Sequence, residues 1–206
     1  LCDAMKNADR AQRDEIGNCL ARLQGQAVDE RLCSVVGSHE PPATKEQVIA
    51  ALAARGARSA VPALLAAATT GSGTLREAAI EALGSLADGS ISRNVIDMLK
   101  NERSATNRSA LVRCLVDLAL RDQTPERVCD GILTSLAGSP AVARASMFQV
   151  LGRFGGAKEL QAVRPALADP DPDVQRSAIR VLSAWTDSAP LEDLFALAHS
   201  SGETAV

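Results

Sequence analysis

The chain has 206 residues, 46% of them of hydrophobic type, enough for one large domain or an extended array with a continuous core and too apolar for disorder as its main state. Its net charge is −3, and 18 of the 22 basic residues are arginines scattered along the chain, so electrostatics give no general attraction to nucleic acid. No run approaches 18 consecutive apolar residues, so none is expected to span a membrane. The apolar residues are mainly Ala, Leu and Val, with no Tyr, one Trp and three Phe, which favours an all-α fold over a β fold. The first residue is Leu rather than Met, the mark of a processed or partial chain.

Taken in chain order, one helical pattern recurs around a central leucine. It starts at Leu20 in "EIGNCLARLQG" and returns in "KEQVIAALAARG" (45–56), "LREAAIEALGSLADG" (75–89), "NRSALVRCLVDLAL" (107–120), "VARASMFQVLGRFGG" (142–156) and "VQRSAIRVLSAW" (174–185). The leucines are Leu20, Leu52, Leu83, Leu115, Leu151 and Leu182, at steps of 32, 31, 32, 36 and 31 residues. A second helix is expected after each of the later five: "SAVPALLAAA" (59–68), "SRNVIDMLK" (92–100), "PERVCDGILTSL" (125–136), "ELQAVRPALA" (159–168) and "LEDLFALAH" (191–199). Leu65, Leu99, Leu133 and Leu167 recur there every 34 residues, with a register displaced by one residue as the alternative. Gly, Pro, Ser, Asp and Thr fill the gaps, with Gly71, Gly73, Gly89 and Gly155 as helix closers and Ser59, Ser92, Thr124 and Ser139 as N-caps. "GSHEPPAT" (37–44) is a longer loop between repeats.

Connections this short make consecutive helices antiparallel. One hairpin cannot bury its own apolar faces, but about six stacked hairpins can. The expected architecture is therefore an all-α solenoid of about six antiparallel helix pairs in a single domain, with repeats near 1–40, 41–72, 73–103, 104–138, 139–171 and 172–206.

"DPDPDVQRSAIRVL" (169–182) resembles the start of the bacterial HEAT-like repeat, a family that includes the repeats named for phycobilin lyases. "SAVPALLAAA" (59–68) is similar to that repeat's second helix, with Pro62 early in it, and "AVRPALADPD" (162–171) is similar again, with one residue inserted before Pro165. The match is good over 159–186, fair over 45–100 and 142–158, and weak over 1–40 and 101–140. The resemblance implies paired helices stacked into a curved rod. Tetratricopeptide repeats share the 34-residue period, but their recurring aromatic residues are absent.

Asp169, Asp171 and Asp173 look like the start of a calcium loop, but its sixth and twelfth positions, which want Gly and Glu, hold Val174 and Arg180. The alternative is punctuation: Asp169 ends one helix, Pro170 and Pro172 prevent its continuation, and Asp171 or Asp173 caps the next. The resemblance raises two further chemistries. Some HEAT-repeat enzymes hold a di-iron centre through several His-Glu pairs, whereas this chain offers only His39–Glu40, in a loop. HEAT-like glycosylases need a basic groove with aromatic residues, and Trp185 with nearby Arg144, Arg153, Arg164, Arg176 and Arg180 is the only approach to one. No zinc motif, phosphate loop or nucleophile elbow appears, so no catalytic, metal or cofactor residue is assigned.

Cys19 and Cys114 precede central leucines, and Cys33 and Cys129 follow 14 and 15 residues later. Across an antiparallel hairpin these could form two disulfides, which leans the reading towards an extracytoplasmic compartment such as the periplasm. Alternatively each is a small buried hydrophobe, since Ala51, Ala82, Val150 and Val181 fill the place before the other leucines. Cys2 is a possible lipidation site with a poor preceding residue. Asn107-Arg108-Ser109 fits a glycosylation sequon, and the ending at Val206 fits a PDZ ligand; chance explains both.

The favoured function is a non-enzymatic scaffold or assembly subunit that binds a protein partner through its second helices. Candidate surface residues are Arg93, Lys100, Arg127, Lys158, Arg164 and Trp185, with Asp97, Asp130 and Gln161 alongside. The alternative is a lyase-like or glycosylase-like solenoid with a concave pocket near Trp185. A pocket holding Trp185 and two converging charges would favour that alternative. A residual apolar face on the last helix would point to a missing repeat or a docked partner.

Overall fold

The computed structural model describes residues 9–23, 25–122 and 125–203; Cys2, Thr124 and Val206 lie outside them. Twelve α-helices and no strand occur among the described residues. In chain order they are α1 (Arg10–Arg22), α2 (Gln26–Val36), α3 (Pro42–Ala54), α4 (Val61–Thr70), α5 (Gly73–Leu86), α6 (Ser92–Asn101), α7 (Ala105–Asp122), α8 (Pro125–Leu136), α9 (Ala141–Phe154), α10 (Ala157–Val163), α11 (Pro172–Ser183) and α12 (Leu191–Glu203). Short 3₁₀ turns precede α4 and α6, and a third, Arg164–Ala168, continues α10. That change of helix type falls at Pro165, which has no N–H to give an α-helical bond.

The chain divides into two compact units, Leu1–Asp88 and Gly89–Val206. In the first, α1, α3 and α5 stack in succession, with α2 and α4 against them. In the second, α7, α9 and α11 stack, and α6, α8 and α10 form the flanking layer. The central leucines Leu20, Leu52, Leu83, Leu115, Leu151 and Leu182 are all buried, so the period read from the sequence is the period of the core.

The second helices depart from the expected register by one residue. Leu99 is buried, but Leu65, Leu133 and Leu167 are half-exposed, and Leu64, Ile132 and Ala166 take the core positions. With 3.6 residues per turn, a ten-residue helix leaves two adjacent apolar residues competing for one face, and the spacing of leucines alone cannot rank them.

Helix ends also differ from expectation. Ser92 is the first residue of α6 and buried, and the Ser139 hydroxyl donates back to the Ser135 carbonyl instead of capping α9. Side-chain caps come from two aspartates and from Ser104, whose hydroxyl oxygen accepts the Asn107 amide at 3.4 Å. Asp9 forms a reciprocal box with Gln12 at α1, and Asp171 accepts from the Asp173 and Val174 amides at 2.9 and 3.3 Å. Gly155 does close α9 in the left-handed region, at φ 71°. Gly71 sits at φ −70°, so it closes α4 without that conformation.

The Asp-Pro-Asp-Pro-Asp segment is the punctuation that its composition suggested. Asp169 accepts the Asp171 amide at 2.9 Å and pairs with Arg144 at 2.6 Å, Asp171 caps α11, and Asp173 pairs with Arg176. Ser177 and Gln175 complete the junction by donating to the carbonyls of Ala145 and Leu167, each at 2.8 Å.

Candidate functional site

Helices α6 and α8 are neighbouring second helices, and the reversals at each connection point them the same way. Between them lies a cavity of about 510 Å³. Its walls carry Arg93 and Asp97 on α6 and Arg127 and Asp130 on α8. Arg93 and Asp97 are one helical turn apart, as are Arg127 and Asp130, so each wall presents a cation and then an anion along its length. Buried Ile96 and half-buried Gly131 lie between the walls. A Cβ on Gly131 would stand 3.1 Å from the Ile96 Cδ1, so glycine at this place lets the two helices approach. Asp130 also faces α10, where Lys158 stands 3.6 Å away with both groups well exposed.

Arg93 and Arg127 thus line one groove, and Lys158 adjoins it through Asp130. The other three candidates sit elsewhere. Lys100 is half-buried in the last turn of α6, placed to offset that helix's negative end. Arg164 reaches back to α12, pairing with Asp193 at 2.9 Å and donating to the Ala189 carbonyl at 3.2 Å. Trp185 is half-buried just after α11.

Beside Trp185 is a second cavity, of about 280 Å³, between α9 and α11. Arg153 and Arg180 converge on it, but the indole is not part of its lining. Sequence reasoning placed these arginines near Trp185 only by number. The signal for the cavity was the glycine in "VLGRFGG", because a glycine inside a helix permits a close approach. A third feature is α12, where Leu191 and Phe195, one turn apart, remain 48% and 57% exposed.

The four described cysteines are free thiols, so the expected Cys19–Cys33 and Cys114–Cys129 bridges are not formed. Cys114 and Cys129 instead fill core positions as small hydrophobes. Burial pushes the Cys114 thiol up to about 12, helped by Asp117. Cys129 is likewise raised to about 12, by burial first and then by the charge of Glu159. Burial and Asp29 raise half-buried Cys33. Cys19 is exposed on α1. Among the described residues no group of three or more His, Cys, Asp or Glu is placed to hold a metal ion, and His39 is exposed in the turn before α3. No described helix is long and apolar enough to cross a membrane.

No curated protein matches the chain significantly. Among solved structures, the chain is similar to human deoxyhypusine hydroxylase in complex with glycerol, at 18% identity over 95% of this chain and 75% of that one, with a TM-score of 0.40. It is also similar to an engineered protein, at 15% identity over 89% and 94% of the two chains, with a TM-score of 0.42. Neither likeness speaks to function. The family profile of the HEAT repeats matches residues 1–84, 30–116 and 129–206, together most of the length and most of the helix pairs described above. The chain belongs to the HEAT-repeat family.

Proposed function

We propose that the protein is a non-enzymatic scaffold that binds another protein through the second-helix face of residues 89–206, centred on the groove between α6 and α8. The observation that carries this reading is the lining of that groove: two guanidiniums and two carboxylates around a buried isoleucine and a glycine. Mixed charges in register favour a partner of complementary pattern and set specificity and orientation more than raw affinity. A stable protein interface buries roughly 800 Å² per partner, more than one groove offers, so α10 belongs to the same surface through its Lys158–Asp130 contact. The exposed Leu191–Phe195 pair on α12 offers a separate apolar anchor of the kind that interfaces cover.

An enzymatic reading would need a general base or nucleophile facing substrate. The cavity near Trp185 is lined by two arginines, Gln149, Thr186 and small apolar residues, a set suited to holding an anion more than to moving a proton.

The test is a photo-crosslinking residue placed at Arg93 or Asp97, with one at Arg113 on α7 as the comparison, in the native host. A single stoichiometric adduct from the groove positions alone is expected. Equal labelling from Arg113, or no adduct from the groove, would overturn the proposal.

A further inference from the structure

We propose that the cavity between α9 and α11 is a binding site for one phosphate monoester, held by Arg153 and Arg180. This site lies on the first helices and is independent of the α6–α8 groove. Its geometry begins with a glycine. A Cβ on Gly152 would fall 2.4 Å from the Val181 Cγ1, so α9 and α11 meet here at a distance only glycine permits. Arg153 and Arg180 are the chain neighbours of those two contact residues, and both line the cavity that the contact creates. Gln149 and Thr186 add an amide and a hydroxyl to the same lining. Thr186 is held close: its Oγ1 would be 2.9 Å from a Cβ on Gly155, whose φ of 71° already favours glycine.

Both guanidiniums are exposed, and neither has an ion-pair partner among the described residues. Their neighbours differ. Arg144 pairs with Asp169, Arg164 with Asp193 and Arg176 with Asp173. In a chain with 25 acidic and 22 basic residues, two unpaired arginines converging on one cavity mark a place for an external anion. The C-terminal ends of α9 and α11 each contribute about half a negative charge, which two full cations outweigh.

Group geometry selects the anion. A planar carboxylate brings two oxygens and a single negative charge, so two guanidiniums would leave it over-neutralised. A phosphoryl group presents three oxygens and about −1.5 to −2 charges, enough for forks from two helices and a hydroxyl as well. A nucleic acid needs a track of cations, and Arg144, Arg164 and Arg176 are each already paired with an aspartate.

The full chain is titrated at constant ionic strength with inorganic phosphate, a phosphoserine peptide, glycerol 3-phosphate, glutamate and a short DNA duplex. Binding is read by calorimetry and by the fluorescence of Trp185, the chain's single tryptophan. Saturable phosphate binding is expected, weakened at least tenfold by Arg153→Gln or Arg180→Gln and unchanged by Arg93→Gln. A tighter phosphoserine peptide identifies a protein-borne group, and a tighter glycerol 3-phosphate identifies a small ester. No saturable response, glutamate binding as tight as phosphate, preference for the duplex, or indifference to both substitutions would overturn the assignment.

Discussion

Arg55 in the first unit and Arg153 in the second both stand at the C-terminal end of a first helix, and they do opposite things. The Arg55 side chain is only 7% exposed. It pairs with Asp29 at 2.6 Å and donates to the carbonyls of Leu20, Leu23 and Gly25, closing the end of α1 and the turn into α2. Arg153 stands exposed on the rim of a cavity, with no acidic partner among the described residues. The two residues look alike in sequence. What separates them is whether the preceding repeat brings a carboxylate and unused carbonyls to the same place. An arginine so supplied becomes part of the fold, and one left unsupplied is available to a ligand.

The sharpest break of that comparison is Arg55→Met. It keeps the apolar stem but strands a partly buried Asp29 and three carbonyls, as happens when one member of a buried pair is removed. We expect a loss of about 3–5 kcal/mol in urea unfolding monitored by circular dichroism. The Arg153→Met counterpart should stay within about 0.5 kcal/mol of the parent, as surface changes do. Equal losses at the two sites would erase the distinction.

Next in size is Gly152→Ala. The added methyl meets Val181 at 2.4 Å, and overpacking of this kind costs roughly 1–3 kcal/mol, offset by about 1 kcal/mol of helix propensity. Adding Val181→Ala should relieve the clash. The pair of substitutions should therefore be less damaging than the sum of the singles, measured as a coupling energy in a double-mutant cycle.

Alkaline pH gives an effect of similar size. Cys114 and Cys129 titrate near 12 when folded, well above a free thiol, so the unfolded chain loses these protons first. Stability should be level below about pH 9 and fall as pH rises towards 12, because the native state then holds more protons than the unfolded state. The same protonation keeps both thiols slow to alkylate at pH 8 in the native protein, whereas exposed Cys19 reacts promptly. Mass spectrometry after timed alkylation reads the order.

These cases show what could be read from the sequence. Leu20 through Leu182 gave the stacking period because a first helix buries one central residue deeply, whatever surrounds it. The aspartates at 169–173 were legible because proline and an N-cap act locally. Leu65 and Leu133 misled, since their neighbours Leu64 and Ile132 are equally apolar and only tertiary packing chooses between them. Cys114 and Cys129 could be read as bridged or buried from spacing, and burial of both as free thiols decided it. The α6–α8 groove was half visible: Arg93 and Arg127 follow from the second-helix pattern, but Gly131 against Ile96 does not. The arginine pair at α9 and α11 was hidden, because pairing of Arg144, Arg164 and Arg176 depends on residues 25–29 positions away in two cases.

The smallest effect on stability is expected where the largest effect on binding is proposed. Arg93→Glu with Arg127→Glu reverses two exposed charges on the walls of the α6–α8 groove. Neither side chain fills the core, so the melting temperature should move by no more than a surface change allows, within about 0.5 kcal/mol each. Each new carboxylate would face Asp97 or Asp130 across one turn, a like-charge contact worth only a few tenths of a kcal/mol. A partner matched to the original pattern would meet repulsion at both places, and such juxtaposition costs several kcal/mol at an interface. Loss of the groove-specific crosslink with an unchanged unfolding curve would separate recognition from folding in this unit. A parallel collapse of stability would instead put Arg93 and Arg127 in the same structural class as Arg55.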